Sequence, residues 1–284
     1  MLAFFNTNMK IKEALSKAIV YLKEREFTDP LYESRLILSR ILEKDISFIY
    51  AYLDLELEPK DEEKFFQILK MRQSGQPLQY ILEETYFMDK KFEINRGVLI
   101  PRKETEISVE VITEVVKKNK CKSFLEIGCG SGIVTIMVNL LTNINCSCLD
   151  ISDLAIENTK TNIKNLGAKV QVFKSNLFEN VKGKFDIIYS NPPYIKTGEI
   201  KNLQDEVKNF EPISALDGGE SGLEFYKKII KQSTNYLNDN GFLIFEIGYD
   251  QKDSIENLMS KDFNIYFIKD LQGYYRVAVG KRRC

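Results

Sequence analysis

One strand–turn–helix pattern restricts the fold of this chain more than any other feature. Residues 123–127 predict a short buried strand, Gly128, Gly130 and Gly132 follow it at every second position, and residues 133–138 predict an apolar helix. Glycine permits positive φ and a close approach of the backbone to a ligand, and the helix N-terminus presents free N–H groups. The pattern therefore predicts a ligand-binding turn at the carboxyl end of a strand in an open α/β sheet.

The ligand that this turn favours is a nucleoside without phosphates. A dinucleotide fingerprint requires glycine where this chain has Ile133, and Glu126 just before the turn suits a cation or hydroxyl groups. About 20 residues further on, residues 145–150 predict a second strand that ends in Asp150, where an acid binds ribose hydroxyls. A nucleoside with a cationic amino-acid arm is S-adenosylmethionine. Its expected contacts are Glu126, Gly128, Cys129, Gly130, Ser131, Gly132 and Asp150.

A second motif, Asn191-Pro192-Pro193-Tyr194, follows the strand predicted at residues 185–189. Each proline lacks a backbone donor and fixes φ, so the turn is rigid and its carbonyl oxygens remain free as acceptors. With the Asn191 amide and the Tyr194 ring beside them, these oxygens suit a planar NH2 group. We predict Asn191, Pro192 and Tyr194 as catalytic, all four residues as substrate-binding, and Asn191 as a cofactor contact as well. Taken alone, the motif agrees equally well with a Pro-Pro pair that only ends a strand.

With both motifs in this order, the chain resembles the HemK/PrmC family of S-adenosylmethionine-dependent methyltransferases. Two further stretches, residues 71–82 and 98–106, are similar to more family-specific segments, and the similarity extends from about residue 34 to 279. The resemblance implies a class I, Rossmann-like α/β fold, with a mostly parallel sheet whose last strand is antiparallel, and a small N-terminal helical bundle. It also implies methyl transfer to the side-chain amide of the glutamine in the Gly-Gly-Gln motif of bacterial peptide chain release factors.

One departure from the family's pattern concerns the contact with adenine. Where the family has Gly-Asp after the third strand, this chain has Ser175-Asn176. The Asn176 carbonyl is still able to accept a hydrogen bond from the exocyclic amine of adenine, but without charge assistance. The resemblance therefore implies Asn176 as a cofactor contact, with Leu177 as an apolar face against the adenine ring.

The chain divides near residue 84 into a helical part and an α/β part. We predict an N-terminal recognition domain at residues 1–83, a β-hairpin linker at 84–102 and a methyltransferase domain at 103–284, because alternating helix and strand patterns indicate a mostly parallel sheet. Asp29-Pro30 predicts the start of a helix. Helices in the first part are predicted near 10–24, 30–42 and 60–73, and sheet strands near 123–127, 145–149, 169–173, 184–189, 241–247, 263–268 and 273–279.

Composition removes several function classes. The 284 residues have a net charge of −1 and no histidine, which excludes His-based catalysis and His-containing metal sites and disfavours general nucleic-acid binding. The five cysteines lack Cys-x-x-Cys spacing, and Cys146 and Cys148 alternate along a predicted strand, so we expect core packing. No long apolar run suggests a membrane span, and Met1–Phe5 is too short for a signal peptide. We expect a monomeric, cytoplasmic enzyme without a metal.

Alternatives stay open at this stage. An Asn-Pro-Pro-Tyr pocket holds any planar NH2 group, so an exocyclic amine of adenine or guanine in nucleic acid is an alternative substrate, and a non-catalytic scaffold is a second alternative. The near-neutral charge and the similarity at residues 71–106 favour a protein substrate, while the intact Asn191 and glycines argue against a scaffold. Glu211 is either a structural contact or a substrate contact. The N-terminal bundle either recognises the release factor or only stabilises the fold.

Overall fold

The computed structural model describes residues 8–23 and 29–283 and divides the chain into two compact units, Met1–Glu83 and Glu84–Cys284. The sequence predictions that concern Met1–Phe5, the end of the first helix at residue 24, and Cys284 lie outside the described residues. No helix within the described ranges is long and apolar enough to cross a membrane.

The described part of the first unit consists of helices around one apolar core. The helices are α1 (Ile11–Leu22), α2 (Pro30–Leu42), α3 (Ile46–Ala51), α4 (Pro59–Gln73) and α5 (Leu78–Leu82). α2 begins as predicted, because the Asp29 side chain accepts a hydrogen bond from the Tyr32 N–H (3.0 Å) and Pro30 is the first helical residue. The sequence predicted α1, α2 and α4 but missed α3 and α5, which are too short to show a repeating helical pattern.

The second unit begins with the predicted hairpin. β1 (Glu84–Phe87) pairs antiparallel with β2 (Lys90–Glu93). The two residues between the strands, Met88 and Asp89, both have positive φ (46° and 60°), as a two-residue hairpin turn requires. The hairpin packs against the core of this unit through its buried phenylalanines, Phe87 and Phe92.

The rest of the second unit alternates helices and strands. The elements are α6 (Thr105–Asn119), β3 (Ser123–Ile127), α7 (Ile133–Thr142), β4 (Asn145–Asp150), α8 (Asp153–Leu166), β5 (Val170–Lys174), β6 (Phe185–Ser190), α9 (Asp205–Phe210), α10 (Glu224–Tyr236), β7 (Leu237–Glu246), α11 (Lys252–Met259), β8 (Phe263–Lys269) and β9 (Tyr275–Arg282). In the described part of the chain, β3 to β9 form a seven-stranded sheet in the order β5-β4-β3-β6-β7-β9-β8.

The fold class predicted from the sequence is confirmed. Neighbouring strands are parallel except at β9, which runs antiparallel to both β7 and β8. The last strand is therefore antiparallel as expected, and it lies inside the sheet rather than at its edge. α6 and α7 cover one face of the sheet, and α10 and α11 cover the other. Cys146 and Cys148 are buried free thiols, as predicted.

The order of the strands brings the predicted site residues to one edge of the sheet. From β3 the chain moves outward through β4 to β5 and then returns to β6 on the other side of β3. Ligands of open α/β sheets bind at the carboxyl ends of the strands, next to such a reversal. The glycine loop, Asp150, Asn176 and Asn191 each lie at the carboxyl end of one of these four strands.

Candidate active site

A cavity of about 760 Å³ opens at the carboxyl ends of β3 to β6, within the second unit. Its volume lies in the usual range for small-molecule sites, about 300–1,000 Å³. Most of the residues predicted from the sequence line it, namely Glu126, Gly128, Cys129, Gly130, Ser131, Asp150, Asn176, Leu177, Asn191, Pro192 and Pro193. The predicted residues Gly132 and Tyr194 do not.

The glycine loop presents its backbone to this cavity. Gly128, Gly130 and Gly132 all have positive φ (75°, 55° and 76°). A Cβ added to Gly128 would meet no heavy atom within 4 Å, so the backbone of this cavity-lining residue faces open space. A Cβ on Gly132 would instead lie 2.6 Å from the Thr159 side chain, so this glycine allows the loop to pack on α8.

The inner face of α8 holds the loop in place through buried polar side chains. The Thr159 hydroxyl donates to the Gly130 carbonyl (3.0 Å), and Asn162 Nδ2 donates to the Ser131 carbonyl (3.0 Å). Asn162 also accepts from the Glu93 N–H through Oδ1 (2.7 Å), which ties β2 to the same helix. The sequence does not single out these residues; its only signal is that polar side chains occupy the face of the helix opposite the charged one.

Two buried carboxyl groups dominate the electrostatics of the loop. Burial raises the pKa of Glu126 to about 8, although the backbone N–H and the hydroxyl of Thr135 both donate to it. Burial also raises the pKa of Asp150, while the N–H groups of Ser152 and Gly130 oppose that rise. Those N–H groups donate to Oδ1 and Oδ2 of Asp150 at 2.9 Å each. Asp150 therefore braces the loop from the neighbouring strand.

The turn after β5 places Asn176 and Leu177 at the rim of the cavity. Asn176 Nδ2 donates to Glu179 Oε1 (2.7 Å), which leaves the amide oxygen as the free polar end of the side chain. Leu177 has a φ of 49°, in the left-handed region that a leucine rarely adopts. The Ser175 hydroxyl donates to the Leu177 carbonyl (2.8 Å) and so supports this conformation.

The Asn-Pro-Pro-Tyr turn is held by unusually close backbone packing. A Cβ on Gly218 would lie 2.7 Å from the Pro193 carbonyl oxygen, and a Cβ on Gly222 would lie 2.5 Å from the Tyr194 carbonyl oxygen. The same Tyr194 carbonyl accepts from Gln251 Nε2 (3.1 Å). Only glycine permits this approach, so the two glycines and Gln251 fix the course of the turn.

Tyr194 packs against the core cluster of the second face of the sheet. Burial raises the pKa of its phenol to about 12. A tyrosine in this environment remains protonated across the physiological range, so it does not act as a base.

The segment after the turn folds over the cavity and is fastened by Glu211. Residues 212–215 line the cavity wall. Glu211 is 5% exposed; Arg102 Nη2 donates to its Oε1 (2.7 Å) and the Ile100 N–H to its Oε2 (3.3 Å). Burial raises the pKa of Glu211, and the Arg102 guanidinium opposes that rise. The structure thus gives Glu211, whose role the sequence left open, a structural ion pair.

Comparisons with known proteins show the family of this chain. A family model described as the PrmC N-terminal domain matches residues 13–82, and one described as the methyltransferase small domain matches residues 92–209. A release factor glutamine methyltransferase from Clostridium botulinum is 40% identical over 284 residues, which cover 96% of this chain and 100% of that protein. This chain belongs to the release factor glutamine methyltransferases. The family predicted from the sequence is therefore confirmed.

Other release factor glutamine methyltransferases show the same full-length similarity. The one from Aquifex aeolicus is 36% identical over 281 residues, which cover 96% of each chain. Solved structures support the fold: a methyltransferase from Pyrococcus furiosus has a TM-score of 0.51 at 22% identity and covers 67% of this chain and 87% of that one. The rRNA methyltransferase RsmC of T. thermophilus, solved with AdoMet and guanosine, has a TM-score of 0.52 at 15% identity. The match covers 70% of this chain and 50% of that one. Family membership favours a glutamine substrate over the two alternatives.

Proposed function

We propose that this chain transfers a methyl group from S-adenosylmethionine to the side-chain amide nitrogen of the glutamine in the Gly-Gly-Gln motif of peptide chain release factors. The observation that carries the proposal is the 40% identity, over the full length, to a release factor glutamine methyltransferase. The cavity supports it, because the glycine loop and the Asn191-Pro192 peptide line the same space. Such a substrate would place the enzyme in the cytoplasm, where release factors act.

The residues that line the cavity fit S-adenosylmethionine, which when bound supplies an electrophilic methyl group on a sulfonium. The open backbone face of Gly128 leaves room for a ligand. Each Asp150 oxygen accepts one backbone N–H and keeps lone pairs for ribose hydroxyls. We assign the Asn176 oxygen to the adenine amine and Leu177 to the adenine face. We assign Glu126 to the cationic arm, whose charge would lower the raised pKa of this carboxyl and favour its ionised form. The backbones of Cys129, Gly130 and Ser131 complete the contact surface.

We further propose that Asn191 and Pro192 hold the amide that receives the methyl group. An amide nitrogen is a poor nucleophile because its lone pair is delocalised, the resonance behind a rotational barrier of about 18–20 kcal/mol. The Asn191 side-chain oxygen and the Pro192 carbonyl accept the two N–H groups, which aims the nitrogen and stabilises the positive charge that develops on it. The methylated nitrogen then loses one of its two protons to water, so no strong general base is needed. Pro193 and Tyr194 keep the turn rigid, and Gly132 acts through the packing of the loop.

The test is methyl transfer from labelled S-adenosylmethionine to an intact release factor. A matched release factor with Gly-Gly-Ala in place of Gly-Gly-Gln, and total RNA, are incubated in parallel. We expect label only in the factor that retains the glutamine. Label in RNA, or in none of the three, would contradict the proposal, and equal label in the Gly-Gly-Ala factor would mean that another residue is methylated.

A further inference from the structure

One buried carboxylate in the second unit lies beside the proposed catalytic asparagine. Ser190 of β6 pairs with Phe245 of β7, so the next residues along the two parallel strands, Asn191 and Glu246, are neighbours across the same ladder. Side chains alternate between the two faces of a sheet. Tyr189 and Ile244, one pair earlier on the same face, belong to the cluster that α6 covers. Asn191 and Glu246 therefore project towards the α6 side together.

Glu246 is unusual because it is 3% exposed and incompletely paired. Its Oε2 atom has no hydrogen-bond partner anywhere in residues 8–23 and 29–283. Buried polar atoms are nearly always satisfied, and an exception calls for an explanation such as a role at a functional site. The neighbouring cavity, which Asn191 and Thr105 line, is the functional site in question.

The surroundings of Glu246 leave its side chain partly ionised and partly protonated at neutral pH. Burial raises its pKa to about 7, while the neighbouring Thr105 and Asn191 side chains and the charge of Arg276 oppose the rise. Arg276 is itself paired with Asp270 (Nε to Oδ2, 2.8 Å). The other titratable groups that interact with this carboxyl are Glu104, Glu126, Tyr189, Tyr194 and Tyr226.

The chemistry of the two side chains determines how they meet. An ionised carboxylate only accepts hydrogen bonds, so it selects the NH2 end of the Asn191 amide and repels the oxygen end. Asn191 Oδ1 is then turned away from Glu246, towards the cavity. An amide that donates to an anion also carries more negative charge on its oxygen, because hydrogen bonds in a chain polarise one another. Both effects improve Oδ1 as an acceptor for a substrate NH2 group.

We propose that Glu246 is a positioning residue that fixes the Asn191 amide with its oxygen towards the substrate. The inference rests on the proposed function, since it concerns the residue to which we assign the substrate amide. A protonated Glu246 is able to donate to Asn191 Oδ1, which would turn the NH2 group of Asn191 towards the cavity and set it against the substrate NH2. The ionised form is therefore the competent one.

The first test compares the pH dependence of kcat for wild type and Glu246→Gln, with a release factor and saturating S-adenosylmethionine. For wild type, kcat is expected to rise with pH through about 7, because kcat reports groups in the enzyme–substrate complex. Glutamine presents either end to Asn191, so Glu246→Gln is expected to lower kcat roughly tenfold and remove the inflection. Glu246→Leu is expected to lower it by about a hundredfold, the usual scale for a misplaced catalytic group.

Two further measurements separate positioning from a general loss of structure. The Kd for S-adenosylmethionine and the KM for the release factor are expected to change less than threefold in Glu246→Gln. The control Glu157→Gln, which makes the same chemical change on the exposed face of α8, is expected to keep both kcat and the inflection. A Glu246→Gln enzyme with wild-type kcat and an unchanged inflection overturns the proposal.

Thr105→Val provides an independent variant that retains Glu246. Its hydroxyl favours the ionised carboxyl, so removing it is expected to shift the inflection of kcat to higher pH. An inflection that stays in place would mean that another group titrates, and a wild-type kcat that is flat between pH 6 and 8 would mean that no titrating group controls the reaction. Either result refutes the role of Glu246. A wild-type enzyme that labels no release factor at any pH refutes the proposed function instead.

Discussion

Asn162→Ala is expected to weaken both the stability of the second unit and its affinity for S-adenosylmethionine. Asn162 is 1% exposed and lies between the glycine loop and the end of β2. Its Oδ1 accepts from the Glu93 N–H (2.7 Å), and its Nδ2 donates to the Glu93 and Ser131 carbonyls (3.0 Å each). Alanine removes all three hydrogen bonds and leaves a small void where water has little access.

The magnitude follows from what each partner loses. The Glu93 carbonyl keeps a hydrogen bond from Asn158 Nδ2 (2.8 Å), so its loss is minor. The Glu93 N–H and the Ser131 carbonyl each lose a buried partner, at about 1–3 kcal/mol per group. The expected decrease in the free energy of unfolding is therefore about 2–6 kcal/mol, a large fraction of the stability of a typical domain, about 5–15 kcal/mol.

Urea unfolding and calorimetric titration with S-adenosylmethionine measure the two effects. Asn165→Ala is the matched control, because Asn165 lies on the exposed part of α8. Among the residues that the structure describes, its side chain bonds only the Glu93 carboxylate (2.8 Å). The control is expected to change stability by less than about 0.5 kcal/mol. If Asn162→Ala costs no more than the control, α8 does not hold the loop. Unchanged cofactor affinity in a destabilised variant would limit its role to stability.

Three further outcomes are expected from the site and the domain division. Asn191→Ala should lower kcat by an amount equivalent to about 2.7–4 kcal/mol, by analogy with oxyanion-hole donors, while titration shows little change in cofactor affinity; near-normal turnover would contradict its role. Because folding raises the pKa of Glu246 from 4.5 to about 7, the folded state binds more protons and stability falls as pH rises between these values. At about 1.4 kcal/mol per pH unit, the wild type loses about 3 kcal/mol of stability over this range. In urea unfolding, Glu246→Gln should therefore be more stable than wild type at pH 8 and similar to it at pH 4.5. If the two proteins show the same dependence of stability on pH, Glu246 is not a buried titrating group. Deleting residues 1–83 should spare activity on a Gly-Gly-Gln peptide but lower kcat/KM on the intact release factor, whereas equal losses would assign the bundle to stability.

Features that depend on neighbours in the sequence were predictable. The three glycines and the Asp29-Pro30 helix start each obey a local conformational rule, and the alternating strand and helix pattern then indicates the sheet. The family resemblance added the substrate. The motifs and the resemblance named the site residues, and the sheet rule explains why they lie together at the carboxyl ends of four strands.

Features that depend on distant pairing were not predictable from one sequence. Glu246 lies 55 residues after Asn191, and only the register of β6 with β7 makes them neighbours. Arg102 and Glu211 are 109 residues apart. The sequence gives no sign that the polar face of α8 has a role, because its partners are backbone atoms of the glycine loop and of the hairpin. In each case the sequence pattern predicts the helix, strand or loop that carries the side chain, but only the tertiary structure shows which distant residue the side chain contacts.

The strand order β7-β9-β8 also affects how the chain folds during synthesis. β8 pairs only with β9, so it has no place in the sheet until β9 has been made. Until then the far edge of β7 carries unpaired backbone groups, which is the situation that promotes pairing between chains. A chain truncated after Tyr274 is therefore expected to aggregate on refolding where the longer chain does not, as light scattering would detect. The interval between the emergence of β7 and that of β9 is therefore the period in which the nascent chain is most exposed to pairing with another chain.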